Sequence, residues 1–488
     1  MKKSWNQRTN MTMLTDFYEL TMSQGYFDSG LKDTQACYDL YFRQVPEGGG
    51  FAIMAGVEQM MDYLENLSFT DDDVDYLRST ANFSEEFLTY LRNLKFECDV
   101  WAIPEGTPLF PNEPIVKVRG PIIQAQMIET MLLLTINHQS LIATKASRIV
   151  RAGQGRAIME FGARRAQGTD ASVLGARAAY IGGAHGTSCT ICGEQFGIPL
   201  SGTMAHSFVQ AFPTEYEAFV AYAKSWPDQA VFLVDTYNVL NSGIPNTIRV
   251  SREILEPRGK RVKGIRIDSG DLTWLTKESR AMLDAAGMED CRIIVSNALD
   301  EYLISDLINQ GAIFDSCGVG ERLITSRSEP VFGGVYKLAG IEVDGRMEPR
   351  MKVSENLAKI TTPGSKEVWR FFDNETGMAI ADLITLDDEV IDTSESYELF
   401  DPIHTWKRKT VTNFTARKLL QPIFEKGRCV YPRYNVQDIR RYCAEQQETL
   451  WDSVKRFNNP QTYYVDLSLK LWEIRNALLH RYGVPNNQ

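Results

Sequence analysis

The chain has 488 residues, 43% of them hydrophobic and 24% charged, with 52 basic against 63 acidic side chains and a formal net charge of −11. This balance is ordinary for a globular protein of two or three domains with a sizeable core. It argues against a nucleic-acid partner, which should meet a basic face, and any phosphate chemistry would have to rest on a local concentration of Arg and Lys.

Met1-Lys-Lys-Ser-Trp-Asn is followed by no apolar leader segment, and the most apolar run, Met127 to Ile136, is too short to cross a bilayer. A cytoplasmic location with no membrane contact is therefore expected. Eight cysteines are scattered along the chain, as expected of reduced thiols. Cys189-Thr-Ile-Cys192, with His185 upstream, lacks a second pair at zinc-site spacing, so no structural metal is expected.

In chain order, Thr15-Asp-Phe-Tyr-Glu-Leu-Thr-Met22 opens a short helix, with Thr15 or Asp16 as its cap and an aromatic pair in its first turn. Strands are predicted at 36–43 and 51–54, separated by the turn Pro46-Glu-Gly-Gly-Gly50. Helices follow at 57–66, 71–79 and 84–94, then strands at 99–103 and 114–118. A long, nearly all-apolar helix is predicted over 121–151, buried between layers.

From 156 short apolar runs recur, each ending in a polar or Gly cluster. They are 156–162, 198–203, 230–235, 264–268, 292–296 and 312–315, and most precede a helical stretch. One such helix is expected near Thr214. Six βα-like units imply parallel strands with right-handed crossovers, and their spacing suits a barrel. No GxGxxG follows the first strand, which disfavours a Rossmann reading. Beyond 330 the pattern turns antiparallel, at 334–339, 350–353 and 367–372, and the chain ends in helices at 436–456 and 464–482. The expected class is α/β: a barrel or barrel-like sheet with an N-terminal α+β domain and a C-terminal extension. The expected boundaries are 1–150 for the N-terminal domain with its connecting helix, 151–340 for the catalytic barrel, and 341–488 for a C-terminal region packing partly back on the first.

In parallel α/β folds function collects at the C-terminal ends of the strands. Those ends carry Glu160-Phe-Gly-Ala-Arg-Arg165, Gly202-Thr-Met-Ala-His206, Asp235-Thr-Tyr237, Arg266-Ile-Asp-Ser-Gly-Asp271, Ser296-Asn297 and Asp315-Ser-Cys-Gly-Val-Gly-Glu-Arg322. A purely structural barrel has no reason to gather a His, several carboxylates and several Arg on one rim. His206, among small hydroxyl residues, suits a nucleophile or phosphate acceptor. Arg266 and Asp268 share a strand face, which suits a phosphorylated ribose; the carboxylate accepts from hydroxyls or binds Mg²⁺. Asp268-Ser269-Gly270-Asp271 offers backbone N–H groups ahead of a helix. Gly318 and Gly320 let a backbone approach a phosphate. Phe161 with Arg164 offers a ring for stacking and a cation for an anion.

These motifs resemble those of the nicotinate phosphoribosyltransferases along nearly the whole chain. The matches are Thr15-Asp-Phe-Tyr18, Phe161-Gly-Ala-Arg-Arg-Ala-Gln-Gly168, Gly202-Thr-Met-Ala-His-Ser-Phe208, Asp235-Thr-Tyr237, Arg266-Ile-Asp-Ser-Gly-Asp-Leu272, Val295-Ser-Asn297 and Gly333-Gly-Val-Tyr-Lys-Leu338. The nicotinamide- and quinolinate-using enzymes are more distantly similar. The resemblance implies the type II phosphoribosyltransferase fold, an irregular α/β barrel plus an N-terminal α/β domain, in a head-to-tail homodimer with shared active sites. The implied reaction is ligase-class: nicotinate joins 5-phosphoribosyl 1-diphosphate, giving nicotinate mononucleotide and diphosphate in NAD salvage. ATP is coupled through a phosphohistidine, and Mg²⁺ is required.

By the same resemblance His206 carries the phosphate and Asp235 orients it. Phe161 stacks on the pyridine, and Tyr18 of the partner subunit stacks on its other face. Thr203 and Arg266 contact nicotinate, Arg164 a phosphate and Asp268 the ribose. Ser269, Gly270 and Asn297 fall within the matched motifs, and Gly318, Gly320 and Glu321 match the 5-phosphate loop. That loop ends Gly-Glu-Arg here, where some members carry Gly-Thr-Ser. Quinolinate would demand more cations around the ring and nicotinamide an acid against its amide; Phe161–Gly168 contains no acidic residue, which leans toward nicotinate. A non-catalytic scaffold would have lost His206, Asp268 or the Gly loop.

Overall fold

The structure, a computed structural model, describes residues 10–80, 83–356 and 359–482. Residues 1–9, on which the reading of the leader rests, lie outside them. Chain contacts group the protein into two compact units: 1–141 with 331–434 and 441–488, and 142–330 with 435–440. After Pro330 the chain returns to the first unit.

The first unit holds a seven-stranded sheet in the order Arg346–Pro349, Gly334–Val343, Gln35–Phe42, Val116–Pro121, Asp99–Ala102, Gln421–Glu425, Arg428–Cys429. All its pairings are antiparallel. Gln35–Phe42 lies inside the sheet, and all of its residues but Gln35 are buried. The early helices stand at Val57–Glu65, Asp71–Thr80 and Glu85–Arg92, the last capped by the Ser84 side chain. The long helix predicted over 121–151 is two pieces, Ile122–Met127 and Glu129–Ala152, broken at Ile128.

A second sheet in this unit runs Phe414–Lys418, Lys366–Asp373, Ala379–Leu386, Val465–Leu467. Within it Arg370 and Asp382, both fully buried, form a two-pronged ion pair, Nε to Oδ1 at 2.8 Å and Nη2 to Oδ2 at 2.6 Å, and Tyr463 donates to Oδ1 at 2.9 Å. The strand expected at 350–353 is instead Arg346–Pro349. Its partner Gly334–Val343 is joined to it through the left-handed residues Asp344 and Gly345, so the hairpin register is set by the turn.

The second unit is built on six parallel strands in the order Gly186–Thr187, Ala157–Glu160, Ser316–Val319, Arg292–Asn297, Gly264–Ile267, Val231–Leu233. Leu200 adds one parallel bridge to Thr187 at the outer edge. Among the described residues the ladder does not continue from Leu200 to Val231–Leu233, so this barrel is irregular at that place. Residues 201–205, which begin there, have no regular structure and lead into the short helix His206–Gln210. The strand expected over 198–203 is therefore reduced to a bridge. The following helix, Glu215–Ser225, starts with a complete capping box between Thr214 and Glu217, typically worth about 1 kcal/mol for the Thr cap.

The last strand is displaced from its expected place. The apolar run Ala312-Ile-Phe314 is the approach, and the strand is Ser316–Val319, fixed by Ser316 opposite Ile294 on one side and Ala157 on the other. Glycine weakens a strand unless something needs the space it leaves, so Cys317-Gly-Val-Gly320 reads as a loop. The occupant of that space is at the site.

Candidate active site

Because the six strands are parallel, their C-terminal ends share one edge. The residues that follow Glu160, Leu233, Ile267 and Asn297 are thereby brought together, with no need for proximity in sequence.

Phe161 follows directly on Ala157–Glu160. Its backbone N–H donates to Val319 O at 2.7 Å, extending the ladder by one bond. The turn after it is braced by Glu160, a buried carboxylate. One Glu160 oxygen accepts from Gly162 N–H and the other from the Thr187 hydroxyl at 2.6 Å. Burial raises the Glu160 pKa, and these hydrogen bonds oppose the rise. The Phe161 ring lies over the strand Ser316–Val319. A Cβ placed on Gly318 would meet ring carbons at 2.5 and 2.6 Å, and one on Gly320 would meet Phe161 O at 3.1 Å. The space these two glycines leave is taken by Phe161.

Arg266, on Gly264–Ile267, reaches along the same face. Its guanidinium carbon lies 5.7 Å from the Phe161 ring centroid. Its Nε donates to Ser296 Oγ at 2.7 Å and its Nη2 to Asp268 Oδ1 at 2.7 Å. Ser296 Oγ in turn donates to Asp268 Oδ1. Burial pushes the Asp268 carboxyl up, but the Ser296 hydrogen bond, Arg266 and nearby His206 together hold it below the usual carboxylate range.

Asp268-Ser-Gly-Asp271 is a tight turn. Gly270 takes φ +85°, where a side chain is strained and a Cβ would also meet Leu275 at 2.8 Å. Asp271 then caps the helix Leu272–Ala285 by accepting from Trp274 N–H at 3.0 Å.

His206 is the first residue of its helix and half-buried. Its Nδ1 faces Thr236 Oγ1 at 3.1 Å. The orienting contact expected from Asp235 is replaced here by its neighbour. Asp235 Oδ2 accepts from Asp268 N–H at 3.0 Å and from the Ser269 hydroxyl at 2.6 Å. A carboxylate already committed to that turn leaves the imidazole to Thr236. Asp235 Oδ1 is buried without a hydrogen-bond partner, and so is Thr203 Oγ1. A buried polar atom left unpaired costs about 1–3 kcal/mol, so both are ready acceptors or donors for an incoming group.

The remaining expected residues divide. Arg164 is exposed on the single turn Ala163–Arg165. Asn297 is exposed at its strand end, with Oδ1 accepting from Ala298 N–H at 2.7 Å. Glu321 pairs with Arg327 at 3.0 Å and lies 4.0 Å from Arg165. A carboxylate would repel a phosphate, so Glu321 is better read as a holder of these arginines. Tyr18 belongs to the other unit and is 46% exposed in the first turn of Phe17–Asp28. Nothing in the sequence gives Thr236, Glu160 or Thr187 a role, and Ser296 stands at a strand end with no local mark of its part. The available signal was parity: Ser296 and Ile294 share a face, and Ile294 is paired with Arg266.

With this geometry in view, the comparisons with known proteins identify the class. The chain is similar to the crystal structure of human nicotinic acid phosphoribosyltransferase, with a TM-score of 0.84 and 30% identity, covering 95% of this chain and 99% of that one. The fold is that of the type II phosphoribosyltransferases. Nicotinate-nucleotide pyrophosphorylase from Pyrococcus furiosus, 22% identical at a TM-score of 0.70, shares it, covering 92% of this chain and 99% of that one.

At the level of sequence, nicotinate phosphoribosyltransferase of Bacillus subtilis is 44% identical over 96% of both chains. That of Dictyostelium discoideum is 34% identical over 96% of this chain and 88% of its own. Models of the nicotinate phosphoribosyltransferase N-terminal and C-terminal domains match residues 13–137 and 365–475. The chain belongs to the nicotinate phosphoribosyltransferase family.

Proposed function

We propose that the protein joins nicotinate to 5-phosphoribosyl 1-diphosphate, releasing diphosphate and forming nicotinate mononucleotide for NAD salvage, with ATP hydrolysis coupled through His206. The observation that carries this reading is the single rim on which Phe161, Arg266, Asp268 and His206 meet. The ring and the guanidinium suit a flat pyridine carboxylate. Asp268, held ionised by Arg266 and Ser296, suits ribose hydroxyls as an acceptor. Holding the pyridine nitrogen in line with the anomeric carbon supplies much of the acceleration such a transfer needs.

For His206 the geometry suggests a tautomer. With Nδ1–H donating to Thr236, Nε2 carries the lone pair. Attack on the γ-phosphorus of ATP would form the N–P bond as the bond to the ADP oxygen breaks, with ADP leaving. Hydrolysis of the phosphohistidine returns phosphate. The added charge would be read by the rim arginines. Mg²⁺ fits the donor set through the unpaired Asp235 Oδ1, with remaining ligands from substrate phosphate and water; among the described residues no group of three or more His, Cys, Asp or Glu forms a closed metal cage. When bound, it would neutralise the departing diphosphate.

Tyr18, exposed in its own subunit, is available to a partner, which supports a homodimer with shared sites. No helix among the described residues is long and apolar enough to cross a membrane. We take the protein to act in the cytoplasm.

The test is an assay of nicotinate, nicotinamide and quinolinate side by side, with and without ATP. Nicotinate should be used preferentially and stimulated by ATP. Equal use of nicotinamide, or no effect of ATP, would overturn the reading.

A further inference from the structure

Three residues on neighbouring strands stand on one face of the parallel sheet: Gly318, Ser296 and Arg266. Ser296 is opposite Gly318 in the ladder, and a Cβ on Gly318 would come within 3.3 Å of the Ser296 Cβ as well as striking the Phe161 ring. The missing Gly318 side chain thus leaves the Ser296 side chain uncrowded from that strand. Ala would be as uncrowded, and the hydroxyl needs its own explanation.

Ser296 is 3% exposed, so its hydroxyl has no recourse to bulk water. Arg266 Nε points its single hydrogen at Ser296 Oγ at 2.7 Å, so the oxygen is an acceptor there. The one hydroxyl hydrogen is then free to go to Asp268 Oδ1. Arg266 Nη2 reaches the same oxygen at 2.7 Å. The result is a closed three-membered loop of hydrogen bonds in which each bond fixes the next. A guanidinium held at both Nε and Nη2 cannot rotate about its terminal bonds, and its central carbon is what stands 5.7 Å from the Phe161 ring centroid. Nη1 takes no part in the loop.

We infer that Ser296 is a positioning residue for pyridine recognition, its hydroxyl clamping the Arg266 guanidinium in the plane that faces Phe161 and the ring-bound carboxylate. The inference rests on the proposed use of nicotinate, and deepens it by naming what sets the arginine's geometry. Hydrogen bonds to charged groups are the stronger kind, and a substrate-binding cation left free to rotate must be ordered anew at each binding event.

The experiment uses the full-length enzyme. Wild type is first shown to form nicotinate mononucleotide; failure at this step overturns the proposed function rather than the role of Ser296. Ser296→Ala should then raise KM for nicotinate by roughly ten- to hundredfold, as expected for one charge-assisted hydrogen bond, with kcat changed by less than about threefold. Ser296→Cys keeps the branching and fills the site with a somewhat larger atom but supplies only a weak hydrogen-bonding group, and should lose as Ser296→Ala does. In an Arg266→Ala background, adding Ser296→Ala should change KM little further. A wild-type KM in Ser296→Ala would overturn the inference, as would a wild-type KM in Ser296→Cys, which would show that bulk and not the hydroxyl matters. Full additivity with Arg266→Ala would also overturn it, since a residue merely supporting the strand has no reason to act through Arg266.

Discussion

Gly318→Ala tests the packing of the Phe161 ring without removing any polar group from the rim. The glycine lies in the strand Ser316–Val319 and has no positive φ, so alanine adds a methyl group and no conformational strain. That methyl would stand 2.5 Å from one ring carbon where ordinary contact begins at 3.4 Å, a deficit of about 0.9 Å. The strand is central in its sheet, with partners on both sides, so it cannot yield, whereas the ring is only half-buried and can swing outward. Overpacking of a rigid site costs about 1–3 kcal/mol. With one flexible partner the lower end applies, about 1 kcal/mol, and Tm should fall by no more than a few degrees.

The functional cost should be larger, because the ring that moves is the proposed stacking face. KM for nicotinate should rise roughly tenfold or more, in keeping with the loss of an aromatic stack worth about 1 kcal/mol together with its alignment to Arg266. Steady-state kinetics with a thermal melt on the same preparation separates the two. A variant with wild-type KM for nicotinate would refute the reasoning, as would one whose Tm falls steeply while the surviving enzyme binds normally.

His206→Ala should abolish the stimulation by ATP while leaving slow transfer without it, and mixing Tyr18→Ala with His206→Ala subunits should restore part of the activity if sites are shared; full ATP response in the first, or no complementation in the second, would count against those roles. Glu19 is buried between Thr15 and Thr130, and burial, with Glu129 nearby, lifts its carboxyl to about 7 against the pull of the hydroxyl hydrogen bonds. A folded pKa above the unfolded value gives stability that is complete below about pH 4.5 and is lost as pH rises through 7. Wild type should therefore lose on the order of 2 kcal/mol between about pH 5 and pH 9, and Glu19→Gln should flatten that slope in thermal melts; an unchanged slope would assign the effect elsewhere. Asp382→Asn leaves Arg370 buried against a neutral partner and should destabilise by about 3–5 kcal/mol, measured by chemical denaturation, with a loss under about 1 kcal/mol showing that the first unit relaxes around the charge.

What the chain determined by itself was the set of local elements and the residue types at the strand ends. Apolar runs bounded by turn residues marked the strands Gln35–Phe42, Ala157–Glu160, Gly264–Ile267 and Arg292–Asn297 closely, because period and burial are properties of consecutive residues. The motif order also carried the family. Tertiary structure alone decided which partner each rim atom has. Asp235 turns to Ser269 and the Asp268 amide, leaving His206 to Thr236, because the parallel register sets these strand ends side by side. Gly318 serves Phe161 for the same reason: the space it vacates is filled from a strand far away in sequence. Contacts between distant segments are fixed by the packing of whole sheets, and no window of the sequence contains both sides of them.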